Sequence, residues 1–312
     1  MQEPMRTRGP VICVGTTTVD QVLEIDEMPR QAIKVTARHH FKRGGGPAAT
    51  AAVACARLLL PVELWSRLGS DAEAAFLCER LRHHGVGIGG VKCSGEMDTI
   101  TAVVIVDRQG ERFIVGHDHT VLPTSPAHLP LQEIPKAGAV LADINWHEAS
   151  LAVLDAAAAA EVPSVLDAEV TDLAVLLELA RRASLPVFSE DGFALASAGA
   201  QPDAEGCEAL SRRLGGMFGL TLGARGSLWW VDGALTLVPA VPVTVQDTTG
   251  AGDVFHGALA AGLAEGRPVI DAARFASAAA SLKCELGNGW DGMPERRAVE
   301  EAAARLDPLR VS

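Results

Sequence analysis

Asp247-Thr248-Thr249-Gly250-Ala251-Gly252-Asp253 lies between a proline-spaced, β-branched segment, Val238 to Val245, and an apolar helical pattern, Val254 to Leu263. That order predicts a strand, a tight turn of small residues and a helix start. Glycines on either side of an alanine let backbone N–H groups approach an anion without side-chain obstruction, and a helix N-terminus adds the positive end of its dipole. Asp253 then stands as a carboxylate beside an anion cradle. Such a pair suits a hydroxyl that loses its proton as it attacks phosphorus. An isolated Gly-x-Gly-Asp fits a capped helix after a glycine turn equally well. The full run, continued by Val254-Phe255-His256-Gly257-Ala258-Leu259, is far more specific.

Outward from this run the pattern is strand–helix alternation. Val11 to Gly15 is a short apolar run, as a buried parallel strand would be. Pro47 to Leu60 is small-residue and helical after Gly44-Gly45-Gly46, Glu63 to Leu68 reads as strand, and Ala72 to His84 as an amphipathic helix. After Pro123 the alternation repeats through Ala139 to Ala142, Leu151 to Ala160, Ser164 to Leu166, Leu173 to Ala183 and Val187 to Phe188, which indicates βαβ units and a parallel sheet with helices on both faces. Leu228 to Val238 predicts a strand pair around Asp232-Gly233. Two polar stretches stand outside this scheme. Val22 to Phe41, with Pro29 inside it, reads as exposed strands, and Ile100 to Gly116 as a hairpin turning at Arg108-Gln109-Gly110. The expectation is one doubly wound α/β domain over residues 1–312, with a small β lid from segments near 16–43 and 99–120.

Composition bounds the function. A formal net charge of −12 argues against nucleic acid or an anionic membrane as the main partner. Hydrophobic content of 48% and charged content of 21% suit a soluble globular chain. No stretch of about 20 apolar residues occurs, so no span is expected. The N-terminus lacks an apolar signal core. The cysteines at 13, 55, 78, 93, 207 and 284 have neither C-x-x-C nor metal spacing, which fits a reduced, cytoplasmic protein.

The run ending at Asp253 resembles the signature of the ribokinase (PfkB-type) carbohydrate kinases, and the resemblance extends over nearly the whole chain. It implies an ATP-dependent sugar kinase in which Asp253 is the general base and the Gly250, Ala251 and Gly252 amides form the anion hole. Asp20, after Val14-Gly15, matches the sugar-binding acid of the family; without the match it reads as a solvated strand-end acid. A carboxylate accepts from two adjacent hydroxyls at once, which suits a polyol. Gly45 and Gly46 match the family's double glycine, which brings backbone close to the sugar. The family usually has Asn shortly afterwards, where this chain has Pro47-Ala48-Ala49-Thr50, so Thr50 offers one hydroxyl in place of an amide. His117 and His147 are further candidates for the sugar pocket. Within the family, Gly44 to Ala54, Leu141 to His147 and Gly250 to Leu259 resemble sulfofructose kinases. Ile114 to Asp118 and the tail from Arg274 to Gly292 resemble ketohexokinases. Both groups phosphorylate a ketose. The sulfonate-binding Arg of the former is Asn145 here, although Lys34, which could meet an anion, remains. The resemblance therefore implies a neutral, fructose-like ketose over a sulfonated one.

On the nucleotide side, Leu220 to Gly226 resembles the turn before the ATP site, which nominates Thr221, Gly223, Arg225 and Gly226. Ala278 and Cys284 match the helix near adenine; helix packing accounts for each of them equally well. The Asn-x-x-Glu element that organises Mg²⁺ in many members is Ser189-Glu190-Asp191-Gly192 here, with Glu190 or Asp191 as the replacement carboxylate. Asp247 and the turn near Gly287 match positions bordering a monovalent-cation (K⁺) site, and lid pairing implies a homodimer. Two other functions compete with the ketose kinase. One is a sugar- or nucleotide-sensing protein without turnover, motivated by the altered Mg²⁺ element and opposed by the intact Asp253. The other is a kinase of nucleosides or sugar phosphates, for which the lid segment shows neither an apolar base pocket nor extra basic residues.

Overall fold

The computed structural model describes residues 9–109, 111–116 and 123–311. Strand β1 (Val11–Val14) is fully buried, as its unbroken apolar sequence requires. The chain winds from it in both directions. On one side β1 pairs in parallel with β4 (Val62–Gly69), which pairs with β5 (Gly87–Ser94). On the other it pairs with β8 (Ala139–Asp143), followed by β9 (Ser164–Ala168) and β10 (Leu185–Phe188), all parallel. The strand order thus reverses at β1, and ligands of open α/β sheets bind in the crevice at the carboxyl ends beside such a reversal. β11 (Phe218–Thr221) continues the parallel run. From there β12 (Ser227–Val231), β13 (Ala234–Val238) and β14 (Leu309–Val311) extend the sheet antiparallel. The β12–β13 turn has Asp232 and Gly233 both at positive φ, as a type I′ turn needs.

Helices cover both faces. α1 (Pro47–Arg57), α2 (Ala72–His83), α7 (Ala251–Ala264), α8 (Val269–Leu286) and α9 (Arg296–Ala303) pack around one apolar cluster. α3 (His147–Ala159), α4 (Leu173–Arg182), α5 (Glu190–Ala196) and α6 (Ala204–Leu214) pack around the other. The small residues of α1 and α7 allow a very close crossing: a Cβ on Gly257 would stand 2.5 Å from the Ala51 carbonyl oxygen.

A separate sheet forms the lid, in the order β3-β2-β6-β7, from β2 (Thr18–Glu24), β3 (His39–Gly45), β6 (Thr101–Val106) and β7 (Arg112–Gly116). Both polar stretches contribute, as the sequence predicts. Two expectations need correction. Between β2 and β3, residues 25–38 carry no strand; Pro29 removes a donor there. Val238 to Val245 is likewise not a strand, since β13 ends at Val238 and residues 239–250 run unpaired into α7. Pro239 and Pro242 deny that segment ladder hydrogen bonds, and its β-branched residues have no partner strand.

Candidate active site

Gly250 sits at the N-cap of α7 with φ 75, a left-handed conformation that favours glycine, and Asp253 is the third residue of the helix. The helix spans 14 residues, so its N-terminus carries a full dipole end. A Cβ on Gly252 would meet open space, which leaves its backbone approachable. The Ala251 amide donates to the Thr248 carbonyl at 3.1 Å, and Thr249 N–H donates to the Asp247 carboxylate at 2.9 Å, which folds the run into its turn.

Asp253 keeps part of its surface open, yet its carboxyl stands in acidic and largely buried company. Burial raises its pKa to about 7, helped by the carboxylates of Asp143, Glu169 and Asp20 and opposed by Lys283. A base titrating near neutrality suits deprotonation of a hydroxyl. One turn further along α7, buried His256 is lowered to about 4 by desolvation and is therefore neutral. Its Nδ1 lies 3.5 Å from Asp167 Oδ1, a carboxyl that burial pushes well up.

Most of the residues that the sequence nominates for the sugar stand on β2, β3, the start of α1 and the loop after β8. Asp143, fully buried at the end of β8, accepts from the Thr16 amide at 2.7 Å and the Asn145 amide at 2.9 Å. It ties the entry of the lid to the loop bearing Asn145. Gly15 makes room for this, because a Cβ there would stand 2.2 Å from Asp143 Oδ2. Asp20 faces Gly45, whose Cβ would stand 2.9 Å from Asp20 Oδ2, so the double glycine lets a carboxylate rest against backbone. Asp20 is raised by desolvation, with Arg43 opposing. Thr50, in the first turns of α1, accepts from Trp290 Nε1 at 3.0 Å. Asp20, Gly45, Gly46, Thr50, Gly250 and Asp253 line one cavity, so most of the residues that the sequence nominates for sugar and base converge.

Others lie elsewhere. Lys34 is exposed in the β2–β3 connection and lines a separate cleft with Asp26 to Arg30. His117 falls outside the described residues. His147 turns to Glu178 of α4, with Nε2 and carboxylate 3.1 Å apart. On the nucleotide side, Gly223–Arg225 forms a 3₁₀ turn after β11, and Thr221 donates to the Phe188 carbonyl at 3.3 Å. Gly226 is constrained, since a Cβ would meet the Val238 carbonyl at 2.1 Å. Arg225 makes a very short ion pair with Glu190, both exposed, and this draws Glu190 toward the turn. The absence of a Glu at position 192 has a steric cause: a Cβ on Gly192 would stand 2.3 Å from the Ala168 carbonyl oxygen. Ala278 is fully buried in the core face of α8. The Cys284 carbonyl accepts the Gln246 and Asp247 amides at 2.8 and 3.1 Å. Asp247 also lies near the Gly287 turn, where a Cβ would stand 3.6 Å from Asp247 Cβ.

Four residues to which the sequence assigns no role join the site, three of them within stretches that resemble the family. Arg43, Lys283 and Trp290 line the same cavity as Asp253, and Asp143 organises it from behind. Arg43 could be found only through strand register, since it pairs with Asp20 across β2–β3.

A family description, pfkB family carbohydrate kinase, matches residues 10–296. The ribokinase of Arabidopsis thaliana is 29% identical over 93% of this chain and 80% of its own length. The ribokinase of Bacillus subtilis is 29% identical over 93% and 98%. The structure of Arabidopsis thaliana ribokinase complexed with ribose and ATP superposes with a TM-score of 0.83 at 26% identity, covering 95% of this chain and 98% of that one.

A glycine turn at a helix N-terminus with a carboxyl beside it, in a lidded crevice at a strand-order reversal, fits the phosphotransferase with an alcohol acceptor that these relatives indicate. The chain belongs to the pfkB family of carbohydrate kinases, with a ribokinase-like fold, and uses ATP as its donor.

Proposed function

We propose that this kinase phosphorylates a neutral, fructose-like ketose. The observation that carries the proposal is the hydrogen bond from Trp290 to Thr50. Trp290 lies near the end of the tail from Arg274 to Gly292 that resembles ketohexokinases, and its partner Thr50 stands at the corner where the family commonly presents an amide. Asn145, anchored through Asp143, supports a neutral sugar, because an amide there provides no charged clamp for an anion. Aldopentoses are the second reading, supported by the ribokinase relatives and by the ribose in the Arabidopsis structure.

In the reaction Asp253 takes the hydroxyl proton, while the Gly250 and Gly252 amides and the α7 dipole meet the charge on the transferring group. Asp20 holds the acceptor sugar by its hydroxyls. Among the described residues no group of three or more His, Cys, Asp or Glu side chains is placed to hold a metal directly. The cation would arrive on the nucleotide, and Glu190 or Asp191 in the first turn of α5 would be the carboxylate available to it. Bound Mg²⁺ supplies charge neutralisation for the phosphates. The nearness of Asp247 and the Gly287 turn supports a K⁺ site there.

Side-by-side kcat/KM values for fructose, ribose, sulfofructose and adenosine test the proposal. Fructose should exceed sulfofructose by one to two decades, since a missing charge-assisted bidentate pair costs roughly 1.5–3 kcal/mol. A clear preference for sulfofructose or for ribose would overturn it.

We further propose one domain per chain and a homodimer through the lid. Phe113, Ile114 and Val115 on the edge strand β7 are each more than half exposed, an apolar edge that a second lid would cover. The six free thiols among the described residues suit a reducing cytoplasm. No helix of the described residues is long and apolar enough to cross a membrane. Light scattering should give a dimer mass for the parent and a monomer for Phe113→Lys with Val115→Lys. A monomeric parent would rule the dimer out.

A further inference from the structure

We propose that Arg43 is a catalytic residue: its guanidinium leaves the lid carboxylate and grips the phosphoryl group in flight, so that lid closure and transfer are coupled. The inference rests on the kinase reaction above but not on which sugar accepts the phosphoryl.

Arg43 lies opposite Asp20 in the β2–β3 ladder, so both side chains leave the same face of the lid. Its Nε is 3.5 Å from Asp20 Oδ2 and its Nη1 is 3.6 Å from Asp247 Oδ2. The side chain is 19% exposed, which places the guanidinium in the cleft and away from bulk solvent. Both separations exceed the roughly 2.7–2.9 Å of a charge-assisted hydrogen bond, and the cation is shared between two carboxylates. The neighbouring Lys42 shows the contrast. It makes a 2.7 Å bond to Glu73 of α2 and is committed to a structural pair.

The two carboxylates that share Arg43 belong to the two halves of the reaction. Asp20 holds the sugar, and Asp247 begins the run that ends in Asp253. Gly250 and Asp253 line the same cavity as Arg43. A phosphoryl group leaving the α7 cradle for a hydroxyl beside Asp20 crosses the cavity that this guanidinium lines. Asp20, Asp253 and a triphosphate together concentrate negative charge there, and the cavity offers two cations in return, Arg43 and Lys283. Lys283 is fixed in α8 and almost fully buried. Arg43 stands on the lid strand β3, so of the two it is the one whose position depends on the lid.

In the step itself, the sugar oxygen forms a bond to Pγ. The bond from Pγ to the bridging oxygen breaks, with its electron pair departing on ADP, and the hydroxyl proton passes to Asp253. Charge gathers on the equatorial oxygens of the transferring group. A planar guanidinium can donate to two of them at once, which an ammonium cannot. The lid as it stands already sets Arg43 in the cleft between Asp20 and Asp247, and a lid raised from that position would withdraw the donor.

Arg43→Gln and Arg43→Lys test the proposal on the whole chain, using whichever sugar the parent phosphorylates best. A failed ketose assignment then changes the sugar and leaves the comparison intact. Turnover should fall about 10²–10³-fold in Arg43→Gln, the usual loss for one preorganised donor, with Arg43→Lys recovering only part. Calorimetric affinities for ADP alone and for sugar alone should stay within about threefold of the parent, because the contact is made only in transfer. Affinity for ADP with aluminium fluoride and sugar, a mimic of the flying phosphoryl, should drop by about the same factor as turnover. Added guanidine should partly restore Arg43→Gly. Unchanged turnover would overturn the proposal. So would a loss confined to sugar affinity, which would make Arg43 a sugar-recognition residue, and so would an unchanged affinity for the aluminium fluoride complex.

Discussion

Asp253→Asn is expected to fold, to bind ATP as the parent does, and to lose about 10²–10⁴-fold in kcat, the range for a positioned base. The geometry behind this is a carboxyl at the third position of α7 beside Gly250, raised to about 7 by burial and then by Asp143, Glu169 and Asp20. Parent kcat/KM should rise with pH through an apparent pKa near that value, and the residual rate of the variant should lack this limb. Stability carries the same signature. A carboxyl raised from 3.8 to about 7 holds its proton more tightly folded than unfolded. Its contribution to stability is full below the unfolded pKa and is lost as pH rises through the folded one. Asn has no proton to lose, so Asp253→Asn should gain on the parent above that window by up to about 4 kcal/mol. Urea melts at about pH 5 and about pH 8 measure the difference. Near-parent turnover, or a variant that falls behind the parent as pH rises, would remove Asp253 from its role.

Gly257→Val should destabilise the fold by about 3 kcal/mol or more, at the upper end of overpacking losses. The new Cβ would stand 2.5 Å from the Ala51 carbonyl oxygen and 2.9 Å from Ala51 Cα, which are backbone atoms that cannot rotate aside. Cys55 Sγ, 3.1 Å from the Gly257 carbonyl, marks the same crossing. Prying α7 from α1 moves Asp253 away from Thr50, so turnover should fall along with the melting temperature. Gly257→Ala should shift both in the same direction and by less. A Gly257→Val melt within about 0.5 kcal/mol of the parent would show that the crossing relaxes freely.

Local signals reach as far as local physics does. α1, α2 and the β12–β13 turn are legible because helix periodicity, the glycine step before Pro47 and the Asp232-Gly233 pair each act over a few residues. Asp253, Gly250, Asp20 and Thr50 could be nominated in advance because their motifs are contiguous, and the fold brings them to one cavity. Val238 to Val245 misleads for the opposite reason. Its side chains favour a strand, while pairing depends on a neighbour that Pro239 and Pro242 help to exclude. Arg43 escapes notice, and Trp290 is marked only as part of a family-like tail, because their partners, Asp247 and Thr50, are far away in sequence and are chosen by strand register and by the tail turn. Gly192 falls between these cases. Its missing side chain is visible in the sequence, but the Ala168 carbonyl that forbids one is visible only in the fold.

Trp290 also gives this enzyme an optical handle. The chain contains no tyrosine and five tryptophans, and Trp65, Trp146 and Trp229 are fully buried in the core. The indole of Trp290 borders the cavity that holds Asp20 and Asp253, donates to Thr50, and meets the His84 ring edge-on at 6.0 Å between centroids. Ultraviolet emission is therefore dominated by indole, and Trp290 is the indole that lines the cavity proposed to take the sugar. Stopped-flow emission can follow sugar arrival in real time without any attached dye, and Trp290→Phe supplies the dark control.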